Sequence, residues 1–372
     1  MKRLFLLALG GLILLGGNCT KNPTGPAQKK GYVLYTVATN KPYSIYYIDT
    51  ETNQVVDSIP FNNYPYINLS EDGRLLLVAE LVVEIEPPDY QPNVYYLVHY
   101  IDTKTKQFLF TSREAGIEIS PDNRYIFSGT PPVFSVYKTF STNPVFVDTT
   151  MGISSLTYDA RRHLAYGELS IKGVTTIGTI GVFDYQRLRW VDTFTIVFND
   201  GDQTQYGQLQ LSKDGRRLYF EGIGVFGVYD VFSRQVIFWS NINAYTGGYF
   251  ALTPDERYAY ITDPAAGPKC PDCPPPSGEI QIYDSWQNAL IEPISVDSFR
   301  CEGCPFPPFT FNVAASPDNQ RVYVEVMFEF ILVIDATTRQ IIDTIRPQQP
   351  TGVSQLKIQK KPHGSFNLFS GR

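Results

Sequence analysis

Four of the five cysteines stand in two C-x-x-C pairs, Cys270 and Cys273 in CPDCPPP and Cys301 and Cys304 in CEGCPFP. Four thiolates in such pairs can close a tetrahedral zinc site. In an oxidising compartment the same residues form disulfides. The 27 residues between the pairs exceed the usual zinc spacing. Pro274 and Pro305 directly follow the pairs and remove an amide that would donate to a thiolate. No histidine follows either pair, which argues against covalent haem attachment. No helical period is present to lower a thiol pKa for redox turnover. The four cysteines are therefore expected as a structural cross-link, with structural zinc as the alternative.

Other chemistry-bearing residues are sparse. The three histidines, His99, His163 and His363, fall in a strand or on short turns, so a Ser-His-Asp triad or histidine-metal centre has no natural place. Asp200 and Asp202 in NDGDQ, and Glu84, Glu86 and Asp89, carry the oxygen ligands that suit calcium, or an acid/base pair. The simpler reading is solvated loop. No catalytic residue and no cofactor is expected, calcium and zinc being the alternatives. Gly222, Gly224 and Gly227 in GIGVFG are followed by no helix and read as close packing, not as a nucleotide loop. Trp190, Trp239 and Trp286 read as packing residues of outer strands. Tyr90, Phe198, Tyr206, Tyr245, Phe299, Phe306 and Phe309 lie in or beside long loops. They are candidate partner contacts or covers for the ends of the fold.

Two alternating phrases supply the elements that must position these residues. The first is a strand ending in Asp, a polar turn and a second strand: YYIDTETNQVVDSI, HYIDTKTKQFLFT, GVFDYQRLRWVDTF, GVYDVFSRQVIFWS, QIYDSWQNALIEPI and LVIDATTRQIIDTI. A weaker copy, SVYKTFSTNPVFVD, has Lys138 in place of Asp. The second phrase is a strand, an Asp turn and another strand, as in LSEDGRLLLVAE, LSKDGRRLYFEG and ASPDNQRVYVEV. Asp followed by Gly or Asn is turn chemistry, and the flanks are β-branched and aromatic. The Asp49-equivalent positions recur about every 48 residues, the length of a four-stranded propeller blade. The N-terminal GYVLYTVA lacks an inner strand, and TGVSQLKIQKKPHG at the other end supplies one. The fold is therefore expected to be all-β: a seven-bladed β-propeller of four-stranded antiparallel blades, closed by pairing N- and C-terminal strands in one blade.

Paired as they are, IDTETNQVVDSI and LSEDGRLLLVAE resemble the YVTN family of β-propeller repeats over residues 31 to about 360. That resemblance implies the propeller fold and exported or surface proteins with binding roles. A lactonase branch and quinoprotein dehydrogenases share the architecture, so it does not imply one function.

The connections differ sharply between the two ends of the strands. Those within the phrases are short Asp turns. The others are long, at 81–93, 169–178, 195–207, 264–278 and 296–309. Long loops carry an ordering cost and are where function concentrates. The chain opens MKRLFLLALGGLILLGGNCT, with Lys2 and Arg3 ahead of the apolar run 4–15. That run is too short to span a bilayer, which takes about 20 residues, and reads as a signal peptide. Cys19 resembles the lipidated cysteine of a bacterial lipoprotein, although Gly16 and Asn18 depart from the usual lipobox. The expected organisation is a signal peptide over 1–18, lipidated Cys19 and a flexible tether over 19–30, and the propeller over 31–372. With a net charge of −6 and no basic run, nucleic acid is not an expected partner. The expectation is a non-catalytic binding or scaffold module on the bacterial cell envelope, membrane-bound through its lipid anchor only. Its partner would be an envelope protein or glycan. The alternative is an envelope hydrolase or lactonase with acidic residues and a divalent cation in the central funnel.

Overall fold

The computed structural model describes residues 31–38, 41–85, 92–113, 116–130, 133–174, 177–198, 206–222, 224–242, 249–262, 278–299, 308–326, 329–346 and 353–360. Blade 1 begins with β1 (Tyr32–Ala38), β2 (Tyr43–Asp49) and β3 (Gln54–Phe61). Blade 2 holds β4 (Pro65–Leu69), β5 (Leu75–Ile85), β6 (Pro92–Asp102) and β7 (Phe108–Arg113). Blade 3 holds β8 (Glu118–Ile119), β9 (Tyr125–Thr130), β10 (Val133–Lys138) and β11 (Pro144–Asp148). Blade 4 follows with β12 (Met151–Asp159), β13 (Leu164–Ile171), β14 (Thr179–Asp184) and β15 (Arg189–Thr195). Blade 5 is β16 (Tyr206–Leu211), β17 (Arg217–Gly222), β18 (Val225–Asp230) and β19 (Gln235–Asn241). Blade 6 is β20 (Phe250–Leu252), β21 (Tyr258–Thr262), β22 (Glu279–Asp284) and β23 (Ala289–Ser295). Blade 7 is β24 (Thr310–Ala315), β25 (Arg321–Val326), β26 (Phe330–Asp335) and β27 (Ile341–Ile345). The final strand, β28 (Val353–Lys360), returns to blade 1 and pairs antiparallel with β1, from Tyr32 opposite Lys360 to Ala38 opposite Val353. The result is seven sheets of four antiparallel strands, as the repeats imply.

Hydrogen bonding explains the repeated Asp. At the end of each third strand but one, the carboxylate accepts main-chain N–H groups of the turn that follows. Asp184 takes those of Gln186 (3.1 Å) and Arg187 (2.8 Å); Asp230 takes those of Phe232 (3.0 Å) and Ser233 (2.8 Å); Asp335 takes those of Thr337 (2.9 Å) and Thr338 (2.7 Å). The residue four positions beyond each Asp has a φ of 52–60° (Asn53, Lys106, Leu188, Arg234, Asn288, Arg339). Six turns thus share one geometry despite different side chains. Blade 3, with Lys138, turns differently: Phe140 takes the positive φ, and Ser141 Oγ accepts Asn143 N–H at 3.2 Å. The second phrase is held by its Ser or Thr. Ser70, Ser120, Ser212, Thr253 and Ser316 each donate to the Asp two residues on, at 2.5–2.8 Å.

Seven clusters of buried side chains hold the ring, one at each blade interface, including Leu34, Ile48 and Leu356 against Tyr323, Ile331 and Val333 where blade 7 meets blade 1. At one register position of each blade's second strand stand Tyr35, Leu77, Phe127, Tyr166, Tyr219, Tyr260 and Tyr323, all at most 2% exposed. Much of the aromatic content is therefore core, where large rings dominate packing. Gly227 shows how closely it is filled, because a Cβ there would lie 2.2 Å from the Phe220 ring. Gly227→Ala is expected to destabilise the fold by about 1–3 kcal/mol. Adding Phe220→Leu should recover part of that loss in a denaturant titration. Independent, additive losses would show that the two positions do not compete for one space.

The segment 81–93 departs from expectation. Its described residues are strand: β5 runs through Ile85 and β6 starts at Pro92, with Leu81, Val82 and Val83 opposite Tyr96, Tyr95 and Val94. Aromatic and β-branched cross-strand pairs stabilise this extension. Tyr95 Oη donates to Glu84 at 2.6 Å, and Arg113 stacks 3.7 Å above the Tyr95 ring.

Candidate functional site

The innermost strand of each blade faces the ring axis. There the residues enclose a cavity of about 790 Å³, inside the ~300–1,000 Å³ range of ligand sites. Its wall comes from β4 (Tyr66, Asn68), β8 (Glu118), β12 (Ser155), β16 (Gln208, Gln210), β24 (Asn312) and β28 (Gln355, Lys357), with Tyr64 and Tyr249 just before β4 and β20. Inner strands run from the long-loop end toward the Asp turns. Tyr64, Tyr66 and Tyr249 therefore stand at the long-loop mouth, while Asn68, Glu118, Gln210 and Lys357 lie deeper.

Side chains of the inner strands bind neighbouring strands through main-chain atoms. Gln355 Oε1 accepts Ile67 N–H at 2.7 Å, and its Nε2 donates to Pro65 O at 3.3 Å. Gln208 repeats this on Phe250, accepting its N–H and donating to its O, both at 2.9 Å. Ser155 Oγ donates to Gly207 O at 3.1 Å, and Asn68 Nδ2 to Ile117 O at 3.1 Å. Thr157 Oγ1 accepts Leu211 N–H at 2.8 Å. Ser155 (φ 53°) and Gln355 (φ 57°) sit at bulges in β12 and β28, which re-aim their side chains.

Electrostatically the wall is nearly neutral. Glu71, Glu118 and Lys357 are the charged side chains lining it among the described residues. Loss of solvent raises the Glu118 carboxyl, while Lys357 and the Asn68 hydrogen bond pull it back. Behind the inner strands, burial raises Glu168 to about 7 and Glu325 to about 8. Glu168 Oε1 accepts Tyr206 N–H at 3.3 Å, and Glu325 Oε2 accepts Asn312 Nδ2 at 2.6 Å. Burial raises the Tyr249 phenol, and Glu325, Glu221, Tyr64 and Tyr66 add to the shift; Tyr64 and Tyr66 of blade 2 and Tyr249 of blade 6 line the same cavity. Among the described residues, no three His, Cys, Asp or Glu side chains are placed to hold a metal ion.

The candidates read from the sequence have varied positions. Cys19, Tyr90, Asp200, Asp202, Tyr245, Cys270, Cys273, Cys301, Cys304 and Phe306 lie outside the described residues. Tyr206 is not a surface contact. It is 3% exposed, packs against Phe220 with ring centres 5.4 Å apart, and donates its hydroxyl to Gly178 O at 3.3 Å. Phe198 and Phe299 are half-buried lids, on Trp239 (5.8 Å) and Phe330 (5.7 Å) respectively. Phe309 is half-buried before β24. Trp190 packs as expected and donates Nε1 to Asp148 at 3.0 Å. Trp286 corrects expectation: it is 75% exposed on an Asp turn, with Arg257 4.2 Å over its ring. Phe232, 64% exposed, stands likewise on the preceding blade's turn beneath Arg162. His99 is structural, joining Glu80 at 2.9 Å and Thr111 at 3.0 Å. Glu80 also accepts the N–H groups of Asn62 and Asn63, fixing the entry to β4.

The channel residues Tyr66, Tyr249, Gln208, Asn312 and Gln355 were not among the sequence candidates. The sequence signal at Tyr66, Gln208, Tyr249 and Asn312 is a Tyr or amide residue four positions before the Ser or Thr of the second phrase; Gln355 has no such Ser or Thr after it.

No family model matches the chain, and no curated protein matches it. Among solved structures it is similar to dihydro-heme d1 dehydrogenase NirN, with TM-score 0.56 and 15% identity over 85% of this chain and 64% of that one. It thus spans less than two thirds of that protein's length. It is also similar to the β-propeller domain of Myceliophteria thermophila Cps50 (Swd1), with TM-score 0.57 and 11% identity over 79% of this chain and 89% of that one. Kuenenia stuttgartiensis hydrazine synthase matches with TM-score 0.52 and 14% identity over 79% of this chain and 94% of that one. Likeness at such identities concerns architecture and not activity, and with the seven closed sheets it makes this chain a seven-bladed β-propeller.

Proposed function

We propose that this chain is a YVTN-type propeller exported to the bacterial envelope, anchored through lipidated Cys19, that binds an envelope protein or glycan without turnover. The observation that carries this reading is the asymmetry of the two faces. Six Asp-capped turns of one geometry, with the Lys138 turn of blade 3, lie on one face. The long connections at 196–205, 263–278 and 296–309 all leave from the other, where the channel mouth carries its tyrosines. In this reading the four loop cysteines cross-link a Pro-rich pair of connections, as disulfides or around zinc.

The test is capture of partners from envelope extracts by the wild-type chain and by a variant with 264–277 and 300–307 replaced by short turns. The wild type should retain a partner that the variant loses, with its thermal midpoint little changed. Retention by the variant, with loss on Phe232→Ser and Trp286→Ser, would move the binding face to the Asp turns. Mass spectrometry of the processed N-terminus checks the anchor: a chain without lipid on Cys19 removes that part of the proposal.

A further inference from the structure

We infer that the channel mouth is a binding site for a neutral oligosaccharide, gripped between Tyr66 and Tyr249 and hydrogen-bonded by the amides below them. The inference rests on the reading of the long-loop face as the binding face and names the ligand class for it.

The first ground is the rings. Tyr66 and Tyr249 are 41% and 43% exposed although they belong to the inner layer of the ring, where a side chain serving only the core would be covered. Tyr66 is held by neighbours: its ring centre lies 5.3 Å from Tyr64 and 6.3 Å from Tyr96, and Tyr64 is 5.8 Å from Tyr43, all edge-on. A fixed aromatic face offers negative π density to the weakly positive axial C–H groups of a pyranose ring.

The second ground is the polar lining. Gln208, Gln210, Asn312 and Gln355 surround the space below the rings. An amide side chain has two donors and two acceptor lone pairs, so the clamps of Gln208 and Gln355 leave capacity on each group. Sugar hydroxyls, each both donor and acceptor, match that capacity. Charge is nearly absent, with one lysine against two glutamates in the wall, which disfavours polyanions.

The third ground separates sugar from peptide. A peptide entering the channel would bind as an added strand through free main-chain groups at a sheet edge. On β4, β16 and β20, which carry or adjoin the two tyrosines and Gln208, the inner edge is already engaged at Ile67 N, Pro65 O, Gly207 O, Leu211 N, and Phe250 N and O. What those strands offer a ligand at the mouth is side-chain amide and aromatic face.

The experiment is calorimetric titration of the full exported chain with cellopentaose, laminaripentaose, maltopentaose and chitopentaose. At least one should bind. Tyr66→Ala and Tyr249→Ala should each weaken it about tenfold, with only a small fall in the thermal midpoint because both rings are partly solvent-exposed and outside the buried core. Gln210→Ala should weaken it less. Absence of binding by all four sugars at millimolar concentration would overturn the inference, as would binding indifferent to both tyrosines. So would displacement of the sugar by a peptide that binds more tightly at the same residues. If envelope capture depends on the long loops while no sugar binds, the ligand class fails and the binding face stands. If neither is seen, both fail.

Discussion

Ending the chain at Pro350 is expected to abolish the soluble folded state. Residues 353–360 form the inner strand of blade 1, so their loss strips β1 of its partner from Tyr32 to Ala38. It also removes Leu356 from the cluster joining blades 7 and 1. The Gln355 clamp on Ile67 and Pro65 and the bond from Gln359 to the Tyr35 hydroxyl go with it. A buried leucine alone contributes about 2–5 kcal/mol, and each lost ladder hydrogen bond about 1 kcal/mol. Together these rival the whole ~5–15 kcal/mol stability of an ordinary domain. The uncovered β1 edge would also template aggregation. A permuted chain that carries 351–362 ahead of Gly31 through a short linker should recover solubility. A truncated chain that stays monomeric with an unchanged thermal midpoint would show that the closing strand contributes nothing.

The second large effect concerns pH. In the fold, Glu325 titrates at about 8 and Glu168 at about 7, both raised by burial from 4.5. Between pH 4.5 and those values the folded chain keeps protons that the unfolded chain has released, so stability falls as pH rises. The slope is roughly 1.4 kcal/mol per pH unit for each group. The turn aspartates act in the opposite sense. Asp230, held near 2 by the Ser233 N–H and by Arg216, stabilises fully above 3.8 and loses its contribution as pH falls through 2. The stability maximum is therefore expected near pH 4–5. Glu325→Gln should raise the thermal midpoint above pH 6 and flatten its decline, since a neutral amide keeps the partner at Asn312 without the cost of ionising. A wild-type midpoint that is level from pH 5 to 8, or a Gln variant that is less stable at pH 8, would rule this out.

The ring could be read from the sequence because its repeated parts are local. An Asp that caps its own turn, as Asp184 does for Arg187, leaves its mark within four residues, and six copies at one spacing impose the fold. The pairing of β28 with β1 was legible too, because a missing strand at one end had its counterpart at the other. The channel was not. Gln208 and Gln355 act on strands of the next blade, 42 and 288 residues away for Phe250 and Ile67, and no local pattern marks such a bond. Bulges at Ser155 and Gln355 turn side chains inward against the alternation a strand would imply. Tyr206 was misplaced because β16 starts at it: a residue beside a long loop became the first of a buried strand. Trp286 was misplaced in the other direction, since the turn position that exposes it is filled by Gln186 and Phe232 in other blades.

The inter-blade clamps reach carbonyl oxygens and amide protons, not side chains, at Ile67, Pro65, Phe250 and Gly207. A backbone atom is the same whatever residue carries it. These clamps are thus insulated from changes in the receiving strand, where a salt bridge or packed pair would fail with its partner. Residues such as Ile67 and Phe250 still answer to the core, but their solvent-facing neighbours Tyr66 and Tyr249 do not answer to the seam. Positions such as Tyr66 and Tyr249, and not the clamping Gln208 and Gln355, are consequently the part of the channel lining that can be rewritten for a new ligand without loosening the clamps beside them.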